Sequence, residues 1–179
     1  MKKRIILPIL FVVFLAGLAA AQMSGDKSQR PSPPAQARCA FPDGKTITVD
    51  YSSPRLRGRN VRELENYGQV WRTGANEATT FVTTANLKTG NLAVPAGSYT
   101  IFTIPNVDKW TLIINKKTGE WGIPYKYESD ELGRVDMKVS QGPSLVENFT
   151  IAFDQKGNTC AMNLAWEKTT ATAEFSEAK

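Results

Sequence analysis

Histidine is absent from this chain of 179 residues. Without an imidazole, the Ser-His-Asp and Cys-His routes to an activated nucleophile are closed in their usual forms. Imidazole-ligated zinc, copper and haem sites are closed as well. Cysteine is nearly as scarce, with two residues, Cys39 and Cys160. A transition metal therefore finds almost no ligands, and only oxygen-ligated ions such as calcium stay open. The acidic run Glu128–Glu131 lacks the alternating aspartates and the glycine of a calcium loop. The sequence implies no cofactor.

Long apolar runs are limited to one, Ile5 to Leu18, broken by Pro8 and Gly17. A membrane-spanning helix needs about 20 apolar residues. Lys2, Lys3 and Arg4 precede the run and Ala19-Ala20-Ala21 follow it, which is the layout of a signal peptide over 1–21, cleaved after Ala21. No cysteine follows directly, so a lipoprotein anchor is excluded. The expectation is export, to the periplasm or beyond, with no membrane attachment after cleavage. In such a compartment Cys39 and Cys160 are expected to form a disulfide. The net charge of +5 includes the leader's three cations and falls to +2 without them. The remaining Lys and Arg are interspersed with Asp and Glu, so nucleic acid is not an expected partner.

Residues 22–37 are rich in Pro, Ser and Gln with almost no bulky apolar side chain and read as a flexible linker. Residues 38–179 read as one domain. Its pattern is β nearly throughout: Ile47, Val49 and Tyr51 alternate with Thr46, Thr48 and Asp50, and similar runs recur at short spacings between turn residues. This predicts an antiparallel β-sandwich or jelly-roll-like fold of about ten strands. One short helix is expected near 60–66, where Asn60 precedes Val61 and Leu64. The stretch from Lys116 to Leu132 contains Gly119, Gly122 and Pro124 and is expected to be a long loop.

The densest mixed chemistry lies in VWRTGANEATTF, Val70 to Phe81. Trp71 and Phe81 are apolar enough to be buried, and Gly74 marks a turn that brings Arg72, Asn76 and Glu77 together. One reading is a ligand pocket, in which Arg72 grips an anion while Asn76 and Glu77 read hydroxyls. The other is a polar joint, in which Arg72 and Glu77 pair across the turn and Asn76 satisfies the backbone. Arg55, Arg57 and Arg59 form a basic cluster that joins the same site if it folds beside Arg72. Trp121, near Tyr125 and Tyr127 on the long loop, reads either as an exposed platform for a sugar or as a pin to the core. Glu77, Asp50, Asp108 and Glu147 leave a carboxylate-dependent hydrolase open.

In order, YSSPRLRGR, VWRTGANEATTF, VPAGSYTIFTIP, WTLIINKKTGEWGIPY, RVDMKV and ENFTIAFD resemble the bacterial exported family catalogued as domain of unknown function 2911. The similarity covers Arg38 to Phe175, with a departure at NVRELENYG, and implies a β-rich single domain. Trp71, Arg72, Thr73, Gly74, Asn76 and Glu77 match the family's signature run. The family has no established activity for the resemblance to carry over. The reading favours a binding or structural module, with a small anionic or polyhydroxylated ligand, over an enzyme.

Overall fold

Alternation of apolar and polar side chains builds the fold, which the computed structural model describes for residues 26–64 and 67–178. The leader expected over 1–21 lies outside these residues. The strands are β1 (Pro34–Ala40), β2 (Thr46–Ser52), β3 (Thr80–Thr83), β4 (Leu87–Thr89), β5 (Leu92–Val94), β6 (Gly97–Ile104), β7 (Lys109–Asn115), β8 (Glu131–Lys156) and β9 (Thr159–Glu177). All neighbours are antiparallel, in one continuous ladder ordered β1-β2-β3-β6-β7-β8-β9-β4-β5. The all-β antiparallel class expected from periodicity is therefore what the chain adopts. The short helix α1 spans Val61–Leu64, inside the predicted window.

Two details differ from the sequence reading. Near the C-terminus the short runs expected from the spacing of turn residues merge into the long hairpin β8–β9. Its ladder continues through register shifts between Gln141, Val146 and Thr150, so Gly142 and Pro143 sit in an irregularity instead of a break. The brief strands β4 and β5 were not expected, because three residues each are too few to show a period.

The ladder turns over on itself. β1 packs against β8 without pairing to it, and Cys39 of β1 is bonded to Cys160 of β9, as expected from the cysteine pair. The far half of the hairpin also meets the segment after β2, through an Arg55–Asn148 bridge and a bond from the Phe149 N–H to the Pro54 carbonyl (2.9 Å). Between the layers lies the main core, including Ile47, Val49, Phe81, Leu112, Phe149, Trp166 and Phe175. β6 and β7 are buried on both faces. Their outer face carries a second, smaller core of Phe102, Ile113 and Tyr127, packed with Val70, Ala78, Ile104 and Tyr125. The long loop between β7 and β8 folds back over the sheet to close this second core.

The expected linker is corrected over much of its length. Lys27–Gln29 form a 3-10 turn capped by Asp26, and Pro34–Ala37 are the start of β1. Backbone pairing to β2 orders this stretch, and such pairing needs no bulky apolar side chains.

Candidate functional site

The signature run is stitched between the two cores. Trp71 is 2% exposed and stacks on Trp166 with centroids 5.6 Å apart, with Phe149 and Trp110 edge-on. Its indole N–H donates to the Gly74 carbonyl (2.9 Å), and its backbone exchanges two bonds with Thr103. Val70, just before it, and Ala78, seven residues after it, pack into the second core. The left-handed residues of the reversal are Thr73 (φ 55°) and Asn76 (φ 58°), on either side of Gly74. Asn tolerates this region, but a β-branched residue there is an outlier that its surroundings must hold. The hold is a buried hydroxyl chain: Thr79 Oγ1 donates to the Thr73 carbonyl (2.7 Å), and Thr73 Oγ1 lies 3.2 Å from Thr103 Oγ1. Gly74 is required for space, since a Cβ there would sit 3.0 Å from the Ser52 carbonyl and from Thr79 Oγ1.

Arg72 and Glu77 leave this reversal toward different neighbours: Arg72 toward Trp121, and Glu77 toward Lys27 and Arg30. Arg72 lies over the Trp121 ring, 5.0 Å from its centroid, and donates to the Trp121 carbonyl (3.3 Å). Trp121 remains 56% exposed. Its loop is fixed beneath it, through a bond from the Ala78 N–H to the Glu120 carbonyl (3.1 Å) and through Gly122 (φ 91°). A Cβ on Gly122 would approach Ala78 Cβ to 2.8 Å and Arg72 Cβ to 3.2 Å. Tyr125 and Tyr127 follow the pin reading and turn inward onto Phe102. Tyr125 donates to Glu131 (2.6 Å), and burial first, then this bond, pushes its phenol well above the ordinary range. The tyrosines thus pin the loop, and the tryptophan stays outside.

Glu77 turns toward the N-terminal segment. Arg30 donates to both of its carboxylate oxygens (3.1 and 2.8 Å), and Lys27 Nζ lies at 3.2 Å. Asn76 Nδ2 donates to the Ser32 carbonyl (3.0 Å). Lys27, Asp50, Ser52, Glu77 and Thr80 line a cavity of about 190 Å³ under this segment. Sequence reasoning missed Lys27, Arg30 and Ser32, which lie within the expected linker and carry no periodic signal. The arginine cluster folds onto its own loop: Arg59 donates to the Leu56 and Arg55 carbonyls (3.1 and 3.4 Å). Arg57 reaches the Pro31 carbonyl (3.3 Å). Among the described residues, no three metal-ligating side chains of the His, Cys, Asp and Glu types come together.

The model of a family described as a protein of unknown function, DUF2911, matches residues 32–175. The chain belongs to the DUF2911 family. No curated protein and no solved structure matches it. The matched span takes in the whole DUF2911 signature, both cores and the Trp121 loop, and begins at Ser32, the residue whose carbonyl Asn76 holds.

Within this DUF2911 chain, Glu77 is not poised as a general acid. Its own backbone N–H, with Arg30 and Lys27, lowers Glu77 from 4.5 to about 2. A glycosidase's general acid needs the opposite, a raised pKa. Asp50 accepts from Gln36 (2.7 Å). The Glu77 shift has a consequence for folding. A lowered folded pKa stabilises the native state fully above pH 4.5 and loses that contribution as the pH falls through about 2. Because the side chain is 44% exposed, solvent screening holds the effect to about 1 kcal/mol or less. Glu77→Gln is therefore expected to melt below wild type at pH 7, with the two curves converging as the pH approaches 2. Melting temperatures from pH 7 to 2 test this, and a gap that stays constant with pH refutes it.

Proposed function

We propose that this chain is a ligand-binding module whose contact surface is the Trp121–Arg72 pair, and that it takes a ring-shaped polyhydroxylated ligand bearing negative charge. The observation that carries this reading is a tryptophan more than half exposed on a loop anchored on all sides. A mobile loop places an aromatic ring nowhere in particular, whereas this loop is tied to both ends of the signature. An indole presents a broad apolar face with little conformational entropy to lose, and the C–H face of a sugar ring matches it. The guanidinium stacked against it places a cation at the ring, which favours a ligand carrying a carboxylate or sulfate. Asn76 and Glu77 have no part in this surface, and neither do Arg55 and Arg59.

Export to an oxidising compartment is part of the same proposal. It is supported by the Cys39–Cys160 bridge, since such bonds persist mainly outside the cytosol, and by the leader expected from the sequence. No helix among the described residues is long and apolar enough to cross a membrane.

The test is affinity electrophoresis through gels containing a polyuronate, a sulfated polysaccharide or a neutral glucan. Trp121→Ala is expected to weaken retention by at least about tenfold, the equivalent of 1.4 kcal/mol. Arg72→Ala is expected to weaken retention on the charged polymers more than on the neutral one. Equal migration of wild type and Trp121→Ala in all three gels sinks the proposal.

A further inference from the structure

The other arm of the signature faces a segment of the chain itself, and the manner of its docking suggests a site. Lys27 to Pro33 lies across the body as a strap, held there by a series of polar contacts. Lys27 and Arg30 meet Glu77, the Ser32 carbonyl meets Asn76, the Pro31 carbonyl meets Arg57, and the Pro33 carbonyl accepts from the Ser53 N–H (2.9 Å). No side chain from Asp26 to Pro33 is buried. Two cations three residues apart, plus main-chain carbonyls, make these bonds. Nothing in that list requires the strap to be covalently part of this chain.

We propose that the face formed by Asn76, Glu77 and Asp50 is a receptor for an extended basic peptide of a partner protein, and that Lys27–Pro33 is its built-in competitor. Charge selects the partner. Glu77 accepts a guanidinium and an ammonium together, the Asn76 amide reads a backbone carbonyl, and Asp50 adds a second carboxylate to the cavity beneath. The cavity's remaining lining is mixed: Ser52 and Thr80 offer hydroxyls, and Pro34, Tyr51 and Ala78 offer apolar surface for the stem of a long basic side chain. Exposed ion pairs each contribute about 1 kcal/mol or less, so the strap is held weakly by contact and chiefly by tethering. A tethered segment competes at an effective concentration in the millimolar range. A partner peptide with the same spacing of cations displaces it once its own affinity or local concentration exceeds that.

The experiment uses the full chain and a synthetic peptide of the sequence DKSQRPSPP, matching Asp26 to Pro34. Lys27→Ala with Arg30→Ala disarms the strap at two surface positions without touching either core. In this double variant the peptide is expected to shift the backbone amide resonances of Asn76 and Glu77 and to saturate at millimolar concentration or below. Wild type is expected to need at least about tenfold more peptide, because its own strap is in place. Adding Glu77→Gln to the double variant, or replacing the peptide's Lys and Arg with Gln, is expected to weaken binding at least about tenfold. The proposal is overturned if the double variant shows no shifts, or if the shifts persist with Glu77→Gln or with the neutral peptide. Equal affinity in wild type and double variant overturns the competitor role of the strap.

Discussion

Trp71→Ala is expected to lower the stability of the fold by about 3 to 5 kcal/mol, the range for truncating a buried aromatic residue. Three aromatic partners lose a ring at once, with Phe149 at 4.8 Å, Trp166 at 5.6 Å and Trp110 at 6.1 Å. The Gly74 carbonyl, in a buried turn, also loses its indole donor. That turn is where Thr73 is held in a left-handed conformation, so the loss spreads from packing to backbone. Trp71→Phe separates the two effects. It keeps most of the ring contacts and leaves Gly74 unpaired, a change of about 1 to 3 kcal/mol. For a domain of this size each kcal/mol shifts the melting temperature by a few degrees, so Trp71→Ala should melt roughly 10 to 20 °C below wild type, with Trp71→Phe between them. Circular dichroism on heating measures both. A Trp71→Ala midpoint equal to wild type means that the signature's first residue is not structural.

That expectation divides the signature by task. Trp71, Thr73, Gly74, Thr79 and Phe81 hold the two cores together. Arg72 and Ala78 fix the loop that carries Trp121, and Asn76 and Glu77 hold the strap. A run with this density of mixed chemistry reads as a single site in one dimension. Folded, it is a junction with three exits, because Thr73 and Asn76 rotate successive side chains to different sides.

The legible part of the fold was the part with a period. Ile47, Val49 and Tyr51 alternate in sequence and are buried on one face of β2. The apolar run through Leu112, Ile113 and Ile114 belongs to a strand covered on both sides, and its lack of alternation reflects that. Trp110 and Trp166, at strand-like positions, are core. The strap was illegible for a physical reason. Its partner for Arg30 is 47 residues away, and ion pairs between surface residues impose no spacing on either segment. The inward turn of Tyr125 and Tyr127 against the outward Trp121 was equally hidden, since the three share a loop without periodic backbone. Gly122 was visible as a loop residue, but not the 2.8 Å approach to Ala78 that makes glycine necessary there.

Opening the Cys39–Cys160 bridge is expected to cost about 2 to 4 kcal/mol of stability. The bonded residues are 121 apart in sequence, and the chain-entropy model assigns about 4.7 kcal/mol to a loop of about 100 residues, with measured bridges commonly giving less. Topology argues for a value in the upper part of that range. Cys39 lies on β1, an end strand of the ladder that pairs only with β2. Cys160 lies on the far half of the β8–β9 hairpin, which faces β1 without sharing its hydrogen bonds. The bridge is thus a covalent tie between the two layers where the ladder supplies none. Both sulfurs are buried, so reduction requires at least partial opening, and the comparison is best made at equilibrium. Urea titrations of oxidised wild type, reduced wild type and Cys39→Ala with Cys160→Ala make it. Reduced wild type keeps both sulfur atoms, so its deficit reports the cross-link; any further deficit in the alanine variant reports the lost packing. A reduced chain that unfolds at the oxidised midpoint would show that the layers are held by the core alone.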